Sequence, residues 1–534
     1  MRSGLRGVLI VAVALASMAF PGSALGFGPL SSVGVFGEAA GGIQEPRGIA
    51  VAADGSTYVA DSGNFRIDVF SPDGTFLRAF GKGVNPGGGD ICTAASGCQQ
   101  GLDEESAGAI NPPQGVAIGP EGNIFVADQE NNRIDVFSPG GAFLRAFGKK
   151  VNAGSGDPDV CTTACQKGES IGSAGTMGEP RGIAIDPSGT LFITNYDRQR
   201  IDVFTASGAF VRAFGKGVNA GPGDPDICTT ACKEGVAGGK AGEMRLILDV
   251  AVLPGNQVAV ANSANNRIDV FTAGGTFVRG FGKGVNAGPG DPNVCTTASG
   301  CQEVPPGAGA GALFNPSGVR ADAGGNIYAS EFPNDRVSEF TVGGTFVRAF
   351  GAGVVDGAAA FQICTSASGC QKGLEATIPG ATPDPYGLAF DCRGALHVAE
   401  QASGFARAER FGEPGTASAS CAEAALIAAP VTAPPSNKFK FGKLKLNRKK
   451  GTAALFVRVP GSGKLVLGGK GVRKVKRQAR KAGKVKLPVK LVGKAKRKLL
   501  STGKAKVLAK VTFTPNGGTP RTKSKPLTLK KQLR

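Results

Sequence analysis

Residues 45–81 read EPRGIAVAADGSTYVADSGNFRIDVFSPDGTFLRAFG, and similar stretches recur through most of the chain. Four runs of mainly β-branched and aromatic residues, IAVA, TYVAD, RIDVF and FLRAF, are separated by turn signals such as Asp54-Gly55 and Pro72-Asp73-Gly74. Short apolar runs between such turns are typical of antiparallel strands joined by tight hairpins. The stretch therefore predicts one four-stranded antiparallel sheet, with strands a to d in chain order.

The RIDVF segment sets the period of the repeat. It recurs, in weaker form in the last two copies, at intervals of 67, 67, 67, 69 and 71 residues, starting at Arg66, Arg133, Arg200, Arg267, Arg336 and Arg407. Six such units predict an all-β fold, a six-bladed β-propeller. The sixth unit lacks its last strand, whereas a match to that strand, SVGVFG at residues 32–37, precedes the first unit. An N-terminal strand is therefore expected to complete the last blade and leave no large open sheet edge.

These repeats resemble the NHL-repeat family of six-bladed propellers, here in a secreted bacterial form with a Lys-rich C-terminal domain. The resemblance rests on PRGIAV and PRGIAI, followed by EGNIFVADQENNRIDVF at residues 121–137, and it covers residues 30 to about 415. The fourth repeat departs from the pattern, with Ile247 in place of proline and Asp249 in place of glycine. The resemblance implies the fold but no single activity.

The charge divides the chain into an acidic body and a basic tail. Residues 424–534 contain 32 Lys and Arg and no Asp or Glu, whereas the remainder carries 29 basic and 41 acidic residues. The Ala/Pro/Ser-rich residues 416–437 predict a linker after a propeller at 27–415. In residues 438–534 lysine alternates with apolar residues, which is strand periodicity and predicts a small β-sandwich-like domain.

The N-terminal 26 residues have the features of a signal peptide. Arg2 and Arg6 precede an apolar run from Val8 to Phe20, and residues 24–26 form a small-residue cleavage pattern. A retained N-terminal anchor is the alternative. We expect residues 1–26 to be removed and the mature protein to be secreted or associated with the cell envelope, without a membrane span.

Twelve cysteines occur as an even number of local pairs, which predicts six disulfides in an oxidising compartment. The expected pairs are Cys92–Cys98, Cys161–Cys165, Cys228–Cys232, Cys295–Cys301, Cys364–Cys370 and Cys392–Cys421. Zinc is the competing interpretation, but the spacings do not fit it and the chain has a single histidine, His397. We expect His397 to pack inside a blade, because it occupies a position that is aromatic in other repeats.

Strand direction places the b-to-c turns and the d-to-a links on one face of the predicted disk. Five of these links hold 31 to 33 residues and one cysteine pair each, so this face is expected to carry five stapled loops. An oxygen-rich ring suited to Ca²⁺ or a polar ligand is expected there, with side chains Asp61, Asp128, Asn195, Asn262, Glu331, Glu400, Glu45, Glu179, Asn315 and Asp384. The alternative is that each side chain hydrogen-bonds its own turn. The repeated Arg and Asp of RIDVF are expected to pair between neighbouring blades.

Two functional hypotheses follow. In the first, the protein is a binding or scaffold module without a cofactor, whose stapled face holds a protein, peptide or glycan, while the basic domain binds an anionic envelope polymer or, as second choice, nucleic acid. In the second, it is a Ca²⁺-dependent hydrolase. Its similarity to gluconolactonase-type propellers would then nominate Asp249, Asn262 and Glu400. The near-identical residues around the ring favour binding, because an enzyme needs a few unlike residues that converge.

Overall fold

The computed structural model describes residues 27–33, 35–37, 39–402, 404, 406–413, 437–479, 481, 483–515 and 521–533. The predicted signal peptide, nearly all of the predicted linker and Cys421 lie outside the described residues. Contacts divide the chain into two units, Met1–Ile427 and Ala428–Arg534, which are described separately.

The first unit consists of six antiparallel sheets with a repeated topology, and the all-β prediction is confirmed. Strands β1 (Gly28–Val33), β2 (Val35–Phe36) and β3 (Gly42–Ile43) come first. Sheet 1 contains β4 (Pro46–Val51), β5 (Thr57–Asp61), β6 (Arg66–Phe70), β7 (Phe76–Phe80) and β8 (Ile91–Cys92). Sheet 2 contains β9 (Pro113–Ile118), β10 (Ile124–Asp128), β11 (Arg133–Phe137), β12 (Phe143–Phe147) and β13 (Val160–Cys161). Sheet 3 contains β14 (Pro180–Ile185), β15 (Thr190–Asn195), β16 (Arg200–Thr205), β17 (Phe210–Phe214) and β18 (Ile227–Cys228).

The remaining three sheets follow the same order. Sheet 4 contains β19 (Ile247–Leu253), β20 (Gln257–Asn262), β21 (Arg267–Thr272), β22 (Phe277–Phe281) and β23 (Val294–Cys295). Sheet 5 contains β24 (Pro316–Ala321), β25 (Ile327–Glu331), β26 (Arg336–Phe340), β27 (Phe346–Ala352) and β28 (Phe361–Cys364). Sheet 6 contains β29 (Pro385–Phe390), β30 (Leu396–Glu400) and β31 (Arg407–Gly412). Short 3-10 turns join strands b and c at Ser62–Asn64, Ser263–Asn265 and Phe332–Asn334.

Sheets 1 to 5 each contain a fifth strand that the sequence did not predict. In sheet 1 the stapled link turns back onto strand d, so that Ala79 pairs with Cys92 and Phe80 with Ile91. The outer edge of strand d would otherwise present unpaired backbone groups, which proteins commonly cover. Part of each stapled link therefore belongs to a sheet edge.

The N-terminal strand completes sheet 6, but in a different register from the motif match. Strand β1 pairs antiparallel with β31, from Gly28 opposite Gly412 to Val33 opposite Ala408. Residues 29–33 thus take the place predicted for residues 32–36, and β2 instead pairs in parallel with β3. The ring of Phe27 packs 4.9 Å from that of Phe350 and anchors the earlier register.

The sheets form a closed cycle around a central channel. The innermost strand of each sheet contacts that of the next, and β29 of sheet 6 contacts β4 of sheet 1. The apolar core lies between neighbouring sheets. There, tilted phenylalanine rings approach within 5.0 Å for Phe80 and Phe137 and 5.3 Å for Phe214 and Phe271. Each sheet is thereby buried on both faces, which explains its continuous apolar strands.

The second unit contains two antiparallel sheets that share one apolar core. One sheet contains β32 (Lys440–Asn447), β33 (Thr452–Val459) and β36 (Gly483–Val489), and the other contains β34 (Gly463–Gly468), β35 (Val475–Ala479), β37 (Lys504–Pro515) and β38 (Arg521–Lys530). Leu455, Leu465, Leu487 and Phe513 are fully buried between the two sheets.

A helix interrupts the predicted strands of the second unit. Helix α1 (Gly493–Thr502) buries Leu499 and ends at Gly503, whose φ of 68° is the left-handed conformation common after helices. Lysine and leucine are good helix formers, so alternation with lysine alone did not distinguish this segment from a strand. Among the described residues, no helix is long and apolar enough to cross a membrane.

Side chains from the b-to-c turns latch neighbouring sheets together. In four sheets the last turn residue accepts a hydrogen bond from the backbone N–H that precedes strand a of the next sheet, at 3.0 to 3.1 Å: Asn132 from Glu179, Gln199 from Leu246, Asn266 from Asn315 and Asp335 from Asp384. The first sheet has Phe65 at this position, and the residue facing it in sequence is Pro112, which has no N–H. In this pair of sheets the turn side chain that would accept the hydrogen bond is missing, and so is the backbone N–H that would donate it.

This latch predicts the effect of changes at Asn266. Asn266→Gly keeps the left-handed backbone conformation but removes both the acceptor of the Asn315 N–H and the donor to the Val304 carbonyl, and we expect the free energy of unfolding to fall by about 1–3 kcal/mol. Asn266→Asp also loses the donor but retains the acceptor, as Asp335 does in the next sheet, and should lose less. Urea unfolding of the full chain measures both variants. Equal stability of Asn266→Gly and the parent protein would contradict the latch.

Candidate functional site

A buried arginine at the start of strand c organises the loop face of each sheet. In sheet 2 the Arg133 Nε lies 3.1 Å from Asp128 Oδ2 and 3.2 Å from Asp135 Oδ2. Its Nη2 donates to the carbonyl of Ala109, at 2.9 Å, in the link that enters the sheet. Its Nη1 donates to Gln166, at 3.4 Å, in the link that leaves it just after Cys165. We call this arrangement the arginine clamp.

The ion pair at the centre of the clamp recurs in all six sheets, at Arg66, Arg133, Arg200, Arg267, Arg336 and Arg407. In sheets 1 to 5 the arginine also donates to a carbonyl of the outgoing link. The sequence interpretation, in which Arg and Asp pair between neighbouring blades, was therefore wrong. Residues two apart on a strand point to the same side, so Arg200 reaches Asp202 at 3.1 Å and Arg267 reaches Asp269 at 2.8 Å within one strand.

The clamp also contains six of the ten side chains that were predicted to form an oxygen-rich ring. Asp61, Asp128, Asn195, Asn262, Glu331 and Glu400 have no exposed surface. In sheet 1, Asp61 Oδ1 accepts the backbone N–H of Gln44 at 2.7 Å, and in sheet 4, Asn262 Oδ1 accepts that of Arg245 at 2.9 Å. These side chains shape the entry to strand a from within the fold, through backbone groups seventeen residues away rather than those of their own turn.

The other four predicted ring residues lie at the rim of the channel. Glu45, Glu179, Asn315 and Asp384 are partly or fully exposed and immediately precede strand a. All four have φ between 42° and 51°, a conformation that non-glycine residues seldom adopt. Glu179 Oε2 accepts hydrogen bonds from Gln129 at 3.0 Å and from Arg181 at 3.1 Å.

The mouth of the channel is lined by the second residues of the a strands, among them basic and aromatic side chains that the sequence analysis missed. The cavity that they surround measures about 20 Å³. Arg47 Nη1 donates to Gln114 Oε1 at 3.0 Å, and its guanidinium lies 5.4 Å from the ring centre of Tyr386. Arg181 stacks 3.9 Å above the ring of Tyr196. The available signal was a variable position, Arg, Gln, Arg, Leu, Ser and Tyr, between repeated neighbours.

A ring of glycines keeps this part of the channel narrow. A Cβ at Gly48 would collide with the carbonyl oxygen of Gln114, and one at Gly387 with that of Arg47. These glycines therefore let the innermost strands approach closely.

Asp249 stands at the glycine position in sheet 4 and bridges to sheet 5. Its Oδ2 accepts the backbone N–H of Val319 at 3.0 Å and lies 2.6 Å from Arg320 Nη1. Burial raises the pKa of Asp249, although Arg320 opposes the shift. The three residues nominated for calcium thus have separate partners, since Asn262 bonds Asp269 and Glu400 bonds Arg407. Among the described residues, no group of three or more His, Cys, Asp or Glu could hold a metal ion.

The clamps of sheets 1, 2 and 6 contain two carboxyl groups each. Burial raises the pKa of Asp61 well above its usual range, and the neighbouring charge of Asp68 adds to this effect. Burial likewise raises the pKa of Asp68. In sheet 4 an asparagine replaces the first carboxyl, and Asn262 Nδ2 donates to Asp269 Oδ2 at 2.6 Å. The amide supplies the hydrogen that a carboxyl pair obtains only by keeping a proton.

Five of the six predicted disulfides are present, and each staples one link. They join Cys92–Cys98, Cys161–Cys165, Cys228–Cys232, Cys295–Cys301 and Cys364–Cys370. Cys392 is disulfide-bonded, while its predicted partner Cys421 lies outside the described residues. Within the second link, Asn152 Nδ2 donates to the Asp157 carbonyl at 2.9 Å, and Lys149 Nζ lies 3.0 Å from Asp159. The stapled links are therefore shaped loops. His397 is buried as expected, and burial lowers its pKa.

Comparisons with known proteins agree with this architecture. Residues 111–137 match the NHL repeat model. A 183-residue region is 23% identical to "Protein brain tumor" of Drosophila melanogaster and covers 34% of this chain and 13% of that protein. The chain thus spans only a small part of that relative. The NHL match and the repeated antiparallel sheets are consistent with a propeller.

Solved structures of similar shape include two bacterial enzymes. A virginiamycin B lyase from Staphylococcus aureus is 13% identical, with a TM-score of 0.37, over 70% of this chain and 96% of that one. A gluconolactonase from Xanthomonas campestris is 11% identical, with a TM-score of 0.37, over 72% of this chain and 98% of that one. Similarity at this level does not carry an activity over to this chain.

The carboxyl pair of sheet 1 predicts a pH-dependent stability. The pKa of Asp61 is raised in the folded state, so folding favours the protonated carboxyl group. The stability that this group contributes is fully present below the pKa of the unfolded chain, about 3.9, and is lost as pH rises through the folded pKa. Asp61→Asn reproduces sheet 4 and should raise the melting temperature increasingly from acidic to alkaline pH. Thermal unfolding of the full chain across this range measures the effect.

Asp61→Ala is the matched control. It also removes the carboxyl group but leaves the Gln44 N–H without an acceptor, so it should be less stable than Asp61→Asn by about 1–3 kcal/mol at every pH. If the stability difference between Asp61→Asn and the parent protein does not change with pH, the raised pKa of the carboxyl pair has no bearing on stability.

Proposed function

We propose that this protein is a secreted binding or scaffold protein. Its first unit is an NHL-type six-bladed propeller, and the face with the five stapled loops holds a protein, peptide or glycan partner. Its basic C-terminal β domain attaches to an anionic polymer of the cell envelope. The closed cycle of six sheets and the five disulfides support this proposal, because disulfides persist in oxidising compartments.

One observation favours binding over catalysis. The acidic and amide side chains at the ends of the six b strands are buried in arginine clamps, where their oxygen atoms accept hydrogen bonds from the fold. A hydrolase would need such groups accessible to its substrate. The clamps instead fix the links that carry the disulfides, and rigid loops lose less entropy when they bind a partner.

The alternative, a calcium-dependent lactonase or related hydrolase, draws less support from the same residues. Asp249 is 2.6 Å from Arg320, and a guanidinium beside a carboxylate competes with a cation for that oxygen. Calcium sites use six to eight oxygen ligands, while Asn262 and Glu400 are engaged within their own sheets.

The basic domain presents cations in cross-strand rows. Lys440 lies directly opposite Arg458, which lies opposite Lys484 across the three strands of one sheet. All three side chains are exposed, and residues 424–534 contain no Asp or Glu that could neutralise them. Like charges at directly opposed positions repel each other, so a bound polyanion would remove a cost as well as add attraction.

The ratio of lysine to arginine in the basic domain indicates which class of polyanion it binds. Lysine outnumbers arginine 24 to 8 in residues 424–534, which favours diffuse attraction to phosphates over bidentate recognition of bases. Phe439 and Phe513 are buried, while Phe456 of β33 is half-buried and lies opposite Lys486 of β36. We therefore place an anionic envelope polymer first and nucleic acid second.

Calcium provides the test of the hydrolase alternative. We expect the melting temperature of the full chain to change by no more than about 1 °C between EDTA and millimolar Ca²⁺, because ligands shift stability only through a folded-state site. Differential scanning fluorimetry measures this. A rise of several degrees that disappears in Asp249→Ala would instead support the hydrolase.

The cation row provides the test of polymer attachment. Replacement of Lys440, Arg458 and Lys484 by glutamine in the full chain should weaken binding to poly(glycerol phosphate) about ten-fold or more and lower the salt dependence of binding. Isothermal titration calorimetry at several salt concentrations measures both quantities.

A second triple variant removes the same charge elsewhere. This variant carries Lys494→Gln, Lys496→Gln and Lys498→Gln, all on helix α1. It should weaken binding to poly(glycerol phosphate) less than the first triple variant does. Equal losses in the two triple variants would contradict a role for the row, and tighter binding to duplex DNA than to poly(glycerol phosphate) would make nucleic acid the partner.

A further inference from the structure

Two departures from the repeat lie next to each other in the channel. The third residue of strand a is glycine in five sheets and Asp249 in sheet 4, while the fifth residue is alanine in five sheets and Arg320 in sheet 5. These two residues form the 2.6 Å ion pair. The charge of each unusual residue is therefore balanced by the charge of the other, which indicates that the two residues belong together.

Beyond the glycine ring, the channel widens into a cavity of about 280 Å³ that is open to solvent. It is lined by the last three residues of the innermost strands, which include Ala50, Ala117, Ala184, Ala251, Ala389 and Phe390. Because strand a ends here, the cavity opens toward the tight a-to-b turns, on the face opposite to the stapled loops. Its volume is close to the lower end of the range of small-molecule sites, about 300 Å³.

Arg320 is the one charged side chain that lines this cavity. Its Nη1 is occupied by Asp249 Oδ2 at 2.6 Å and by the carbonyls of Val319 at 2.7 Å and Val250 at 3.1 Å. Within the described residues its Nε and Nη2 form no hydrogen bond, and neither atom is buried. About three of the five guanidinium N–H donors thus remain for a ligand, in a fork that matches a carboxylate.

We propose that this cavity binds a small apolar molecule with one carboxylate, such as a medium-chain acyl carboxylate. The hydrocarbon part contacts the alanine, isoleucine and valine side chains of the cavity wall, and the carboxylate accepts hydrogen bonds from Arg320. Asp249 holds the guanidinium in place through Nη1 and leaves its other edge open. A cationic head group is disfavoured because the guanidinium of Arg320 is the one charged group among the described residues that line the cavity.

This site is independent of the proposed partner on the stapled face. The glycine ring separates the two cavities, and Arg320 is the single residue that lines both. A macromolecule on the loops and a small carboxylate at the other end of the channel could therefore be bound at the same time.

The test uses octanoate and octanol as probes, with the full chain, in isothermal titration calorimetry at physiological salt. The informative variant is the double change Asp249→Gly and Arg320→Ala, which restores the residues found in the other five sheets and so avoids an unpaired buried charge. We expect its affinity for octanoate to fall at least ten-fold, while its affinity for octanol changes less than three-fold.

A second variant fills the cavity without a change in charge. Ala117→Leu should weaken both octanoate and octanol, because both occupy the apolar wall. Unchanged octanoate affinity in the double variant would place the carboxylate elsewhere, for example on the lysines of the basic domain, and would overturn the proposal. Equal losses of octanoate and octanol in the double variant, or no binding of octanoate to the parent protein at millimolar concentration, would overturn it too.

Discussion

The structure depends on a buried guanidinium that must find enough acceptors. An arginine with no exposed surface, such as Arg133, would be very costly to bury without compensation. It obtains that compensation from three separate parts of the chain: the carboxylates of its own sheet, the carbonyl of Ala109 in the incoming link, and the carbonyl of Gln166 in the outgoing link. Sheet, entry and stapled loop are thus fixed by one side chain, because loss of any contributor leaves a buried donor unpaired.

The six clamps solve the same charge problem with different residues. Sheets 1, 2 and 6 place two carboxyl groups beside one arginine, whereas sheet 4 replaces one carboxyl by Asn262. In sheet 5 the longer Glu331 reaches Arg336 at 2.9 Å, and Ser338 stands where the second carboxylate would be. What the six sheets share is a set of hydrogen-bond acceptors around the guanidinium, whereas the net charge of that set differs from sheet to sheet.

The periodicity of the sequence predicted the sheets and the disulfides but not the contacts between side chains. Alternation and turn signals depend on neighbours within a strand, so the four strands and the cysteine pairs could be predicted. The fate of Asp128 depends on Arg133, which approaches it across a hairpin, and the sequence alone suggested an open carboxylate ring instead. The register of β1 was missed for a similar reason, because Phe27 packs on Phe350, more than three hundred residues away, and the sequence does not show such a contact.

A propeller built from near-identical repeats has a nearly symmetric channel, and symmetry limits what the channel can recognise. A ring of six glycines and a ring of six alanines would offer a small ligand six equal orientations. The exchange of one glycine for Asp249 and one alanine for Arg320 ends that equivalence with a single polar group in an apolar wall. A buried ion pair is seldom retained for stability alone, since apolar residues of similar size serve as well. Its presence at one point of the ring is therefore better explained by the direction that it gives to a ligand.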